Sequence, residues 1–80
     1  MTVVVTGAAG LLGSHVVAAL LAAGREVRAV DRRAPSAPGA EVVVADLTSL
    51  GDTVQALQGA SFVVHAAADR KSTRLNSSHT

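Results

Sequence analysis

Eighty residues with seven Lys and Arg against six Asp and Glu, a net charge of +1 and 49% hydrophobic residues describe one small globular domain with no basic face for nucleic acid. The absence of Cys removes disulfides and thiolate metal sites. The start of the chain lacks the basic leader of an export signal. Leu11 to Ala23 is too short and too broken by Gly13, Ser14 and His15 to cross a bilayer, so a cytoplasmic protein with no membrane, nucleic-acid or metal partner is expected.

Thr2 to Thr6 is a continuous apolar, β-branched run and predicts a strand buried on both faces. Glycines at positions 7, 10 and 13 then let the chain reverse, approach a ligand and pack a helix closely. That helix is predicted over Leu11 to Ala23, with Leu12, Val16, Leu20 and Ala23 toward the sheet, Val17 and Leu21 beside them, and Gly24 as its left-handed end. The first N–H groups of such a helix are unpaired and carry partial positive charge, which suits a phosphate.

Glu26 to Asp31 predicts the second strand, ending in a carboxylate eighteen positions after Gly13. A carboxylate there accepts both hydroxyl hydrogen bonds of an adenosine ribose and repels a 2′-phosphate. Arg32 and Arg33 follow at once and could instead pair with that phosphate, or be ordinary solvated loop charge. The prolines, serine and glycine of Ala34 to Ala40 mark a surface loop. Glu41 to Ala45 predicts the third strand, and Ser49 to Gln58 a second helix with Leu50, Val54 and Leu57 on its buried face, closed by Gly59. Asp46 or Thr48 is placed to cap that helix. Ser61 to Ala68 predicts the fourth strand, with His65 as a structural residue near its end. The fold class is α/β: a partial Rossmann fold, truncated, with a parallel sheet of about four strands in the order 3-2-1-4 and helices on its faces.

The stretch Thr6-Gly7-Ala8-Ala9-Gly10-Leu11-Leu12-Gly13-Ser14-His15 departs by one residue from the Gly-x-Gly-x-x-Gly fingerprint and closely resembles the opening of the extended short-chain dehydrogenase/reductase family, the NAD-dependent epimerases and dehydratases. The resemblance covers Thr2 to Ala68. It implies a dinucleotide whose diphosphate is held by Gly7, Gly10, Leu11, Leu12 and Gly13, largely through backbone amides. Asp31 would bind the adenosine ribose with Arg32 beside it, Asp46 and Leu47 the adenine, and Ala66 the region near the nicotinamide. Asp31 favours NAD over NADP. For the parent enzyme the resemblance implies hydride transfer on a small-molecule hydroxyl or carbonyl substrate, often a nucleotide sugar, and a homodimer built on helices further along. An NADP-dependent reductase of the same superfamily, using Arg32 or Arg33 for the extra phosphate, and a non-catalytic dinucleotide sensor are the alternatives.

The family's chemistry uses a Ser or Thr and a Tyr-x-x-x-Lys pair. The sequence holds no Tyr, and its only Lys is Lys71, so no catalytic residue is assigned and the 80-residue chain is expected to be inactive. From Asp69 the composition turns polar and loses periodicity. Asp69 to His79 resembles a translated sequencing adapter without a mismatch, so residues 69–80 are expected to be a non-native disordered tail behind a dinucleotide-binding half over residues 1–68. The fourth strand is then expected to show a bare edge and an uncovered face. If the tail is native, the chain is a genuine half-Rossmann domain.

Overall fold

The computed structural model describes residues 1–66 and the backbone of residues 76–78. Strand β1 (Thr2–Thr6) is followed by helix α1 (Leu11–Ala22), strands β2 (Glu26–Asp31) and β3 (Glu41–Val44), helix α2 (Leu50–Leu57), strand β4 (Ala60–His65) and a short strand β5 (Asn76–Ser78). The sheet order is β3-β2-β1-β4-β5. The first four strands are parallel, in the expected 3-2-1-4 arrangement, and β5 joins β4 antiparallel. The edge of β4 is therefore not bare: Val63, Val64 and His65 pair with Ser78, Ser77 and Asn76. The predicted end of the fourth strand at Ala67 and Ala68, and most of the 69–80 tail, lie outside the described residues.

β1 is the centre of the molecule because its side chains are apolar on both faces. Val5 packs with Ala8, Val17, Val27, Ala29 and Ala66 under α1, while Val4 packs with Val30, Ala45 and Ala56 under α2. Alternation along each strand divides the core into these two layers. Helix α1 ends in a Schellman motif: Gly24, at φ +80°, donates to Leu21 O, and Arg25 donates to Leu20 O, both at 3.0 Å. Ala23, expected among the sheet-facing residues, lies past the helix end and is exposed.

Helix α2 departs from the apolar periodicity. Leu50 is 80% and Val54 56% exposed, and the helix instead buries Ala56 with Leu57 beside it. Polar clamps at both ends fix its rotation. At the start, Ser49 Oγ accepts the Asp52 N–H, Asp52 Oδ2 accepts the Asp46 N–H at 2.9 Å, and Thr53 Oγ1 donates to Leu47 O. The cap is thus Ser49, where Asp46 or Thr48 was expected. At the other end Arg28 donates from Nη1 to Ala56 O at 2.8 Å and Gln58 O at 2.7 Å, and from Nε to Glu41 Oε1 at 2.9 Å. These carbonyls would otherwise be orphans of the helix end. On the α1 side of the sheet, Phe62 remains 56% exposed beside Val64 and Leu20, so part of this face is uncovered, as expected.

Candidate functional site

Parallel strands deliver the ends of β1, β2, β3 and β4 to one edge of the sheet, and a crevice of about 490 Å³ opens there. Its floor is Thr6, Gly7 and Gly10; Asp31, Arg32 and Arg33 stand on one side with Asp46, Leu47 and Thr48, and His65 on the other. The size suits a small-molecule ligand, and six of the ten residues expected to hold a cofactor line it: Gly7, Gly10, Asp31, Arg32, Asp46 and Leu47.

Three glycines do three different things. Gly7 has φ +72°, a left-handed conformation that lets the chain reverse at the end of β1. A Cβ on Gly13 would lie 2.1 Å from Gly7 O and 2.8 Å from Ala8 Cα, so only glycine lets α1 pack onto the turn. Gly10 has φ −79°, and a Cβ there would meet only Gly7 O, at 3.4 Å. The protein's own packing thus leaves room for a methyl group at Gly10, a residue that lines the crevice.

Gly10 is also the N-cap of α1, and no side chain caps the helix. No acidic residue stands in the first turn, so the N–H groups of Leu11, Leu12 and Gly13 have neither intrahelical partners nor a carboxylate to meet them. The side chain of Leu11 is 79% exposed at this mouth. An uncapped helix start behind a cradle without Cβ fits a diphosphate.

The carboxylate of Asp31 already works within the protein. Its Oδ2 accepts the Ala9 N–H at 2.9 Å and its Oδ1 accepts the Arg32 N–H at 2.6 Å. Each oxygen keeps a second lone pair for a ligand hydroxyl. Asp46 Oδ1 accepts both the Thr48 hydroxyl at 2.7 Å and the Thr48 N–H at 3.0 Å. These two bonds hold its carboxyl below the ordinary value of 3.8; desolvation opposes them, and the nearby Arg32 charge adds a lesser lowering. Asp46 Oδ2 and the Leu47 N–H have no partner among the described residues, leaving an acceptor and a donor adjacent at the crevice rim.

Ala66, expected near the nicotinamide, is not among the residues that line the crevice. It is buried at 2% exposure under α1, and its N–H donates to Thr6 O at 3.0 Å, so that donor is already used. The neighbouring His65 lines the crevice instead, with Nδ1 2.8 Å from Thr6 Oγ1. Sequence reasoning left Thr6 out of the site; the available signal was that both residues close adjacent parallel strands. His15 is exposed on α1 and lies outside the crevice lining. No cluster of metal-ligating side chains occurs among the described residues, and none of their helices is long and apolar enough to cross a membrane.

Comparison with known proteins adds a family. The model of the NAD dependent epimerase/dehydratase family matches residues 3–80. A 3-beta-hydroxysteroid dehydrogenase from Mycolicibacterium neoaurum is 39% identical over 69 residues, 82% of this chain and 19% of that protein. The polyketide synthase GfsB from Streptomyces halstedii is 46% identical over 57 residues, 70% of this chain and 1% of that protein. Among solved structures, a short-chain dehydrogenase/reductase superfamily protein from Agrobacterium tumefaciens with bound NAD superposes with a TM-score of 0.76 at 43% identity, covering 86% of this chain and 21% of that one. MoeE5 in complex with UDP-glucose and NAD gives 0.74 at 45% identity, covering 86% and 23%. The chain thus spans about a fifth of the length of this dehydrogenase and of these solved structures.

Proposed function

Because the chain belongs to the NAD dependent epimerase/dehydratase family, we propose that its crevice holds NAD, as the cofactor-binding part of an oxidoreductase acting on a hydroxyl or carbonyl carbon of a sugar nucleotide or similar substrate. The uncapped start of α1 and the open cradle at Gly10 receive the diphosphate. Asp31 accepts the adenosine ribose hydroxyls with its remaining lone pairs, and Asp46 Oδ2 and the Leu47 N–H take the adenine edge. When bound, the nicotinamide supplies a hydride acceptor or donor; the residues of this chain hold and orient it. Of the two cofactors, NAD is favoured by the carboxylate at Asp31, and NADP would need Arg32 or Arg33 to offset it.

Gly10 carries the reading, since a glycine stands where the fold itself accommodates a side chain and a ligand would not. We assign the dinucleotide-binding half to residues 1–68. With no Tyr in the sequence, the 80-residue chain binds cofactor without turning substrate over. Titration of the ¹⁵N-labelled chain with NAD tests this. Saturable shifts are expected at Gly7, Gly10, Leu11, Asp31 and Leu47; no shifts, or shifts confined to the Phe62 face, would overturn it.

A further inference from the structure

The strongest feature outside the roles assigned so far is the contact between the ends of β1 and β4. Thr6 is buried at 2% exposure, and its Oγ1 lies 2.8 Å from His65 Nδ1 and 3.5 Å from Val64 O. The hydroxyl either donates to Nδ1 or accepts its proton. In both arrangements the imidazole ring is fixed by one of its nitrogens. The other, Nε2, has no hydrogen-bond partner among the described residues, and no side-chain N or O atom there is both buried and unpartnered. His65 itself is half-buried and lines the crevice.

Position along the sheet says which part of a ligand it meets. Asp31 ends β2 and Asp46 follows β3, both on one side of β1, whereas His65 ends β4 on the opposite side. A dinucleotide with its adenine at Asp46 and its diphosphate over Gly10 extends its other ribose past β1 toward β4. On the proposed NAD reading, we infer that His65, oriented by Thr6, hydrogen-bonds through Nε2 to the ribose or phosphate oxygens of the half of the dinucleotide away from adenine. Thr6 is the positioning residue and His65 the binding residue.

Two amide substitutions separate this from a purely structural histidine. In His65→Asn the amide reaches only as far as Nδ1 and can still meet Thr6; in His65→Gln it reaches as far as Nε2. In the 80-residue chain, His65→Asn is expected to melt like the unaltered chain and to bind NAD and ADP-ribose about tenfold more weakly, the effect of one lost hydrogen bond. AMP affinity should be unchanged, and His65→Gln should recover most of the loss. The ¹⁵N resonance of His65 Nε2 should move on adding ADP-ribose and stay in place on adding AMP. Unchanged ADP-ribose affinity in His65→Asn, or an equal loss for AMP, would overturn the inference while leaving the proposed function standing. Failure of the unaltered chain to bind NAD at all would overturn the proposed function, and this inference with it.

Discussion

Ala9, in the glycine turn, donates its N–H to the carboxylate of Asp31 at 2.9 Å across 22 residues of sequence. The acidic residue that would meet the ribose is thus also a strut of the turn that would meet the diphosphate. Coupling of this kind orders both contacts before a ligand arrives, which lowers the cost of binding. Asp31→Asn keeps an oxygen for Ala9 and should retain the fold, while losing the charge that repels a 2′-phosphate. The ratio of NAD to NADP affinity is expected to fall about tenfold, read by calorimetric titration of both cofactors. Asp31→Ala also removes the strut, and should lower stability by about 1–2 kcal/mol in urea unfolding.

Gly10→Ala and Gly13→Ala should fail in opposite ways. At Gly13 the added carbon would sit 2.1 Å from Gly7 O, and the clash is with backbone that cannot rotate away. Unfolding free energy is expected to drop by about 3 kcal/mol or more. At Gly10 the same carbon meets Gly7 O at 3.4 Å. The melting temperature should stay within a few degrees, while NAD affinity falls at least tenfold.

Asp46 makes stability depend on acid. Its folded pKa lies below the ordinary 3.8, chiefly through the Thr48 hydroxyl. The stabilisation is therefore complete above the unfolded value and is lost as pH falls through the folded one, a window on the acid side of about 4. The melting temperature of Asp46→Asn should fall less than that of the unaltered chain between pH 5 and roughly pH 2. Thr48→Val should also flatten the profile.

Gly51 offers a gain. It lies in the first turn of α2, has no positive φ, and a Cβ there would meet nothing within 4 Å. Gly51→Ala is expected to raise stability by about 0.5–1 kcal/mol through helix propensity and reduced unfolded-state freedom. Ligand binding should be unaffected, since Gly51 does not line the crevice.

Strand order, the glycine turn and the carboxylates of the crevice were legible in the sequence because each is written locally: β-branched runs for strands, glycines where φ is positive, an acid at a strand end. The face of α2 was not. Leu50, Val54 and Leu57 have helical spacing, yet the small Ala56 is what packs against Val4 and Val30. The helix is turned by Ser49 at one end and Arg28 at the other, and the partners of Arg28 lie 28 and 30 residues away. Thr6 and His65 escaped for the same reason, being 59 residues apart and brought within hydrogen-bond reach by the register of β1 and β4. Strand β5 also has no periodic signal, since its three residues are Asn-Ser-Ser.

Having the first strand at the middle of the sheet sets an order of assembly. Thr6 meets Val30 across β1 and β2, only 24 positions apart, whereas it meets His65 59 positions away. Closing the shorter loop costs less entropy, so β1, α1 and β2 can zip together while β4 is still being synthesised. The Asp31 strut then forms early, and the His65 side of the crevice is the last to close. On a ribosome, a nascent chain of this protein would have the wall that carries Asp31 in place before it had a second side to its cleft.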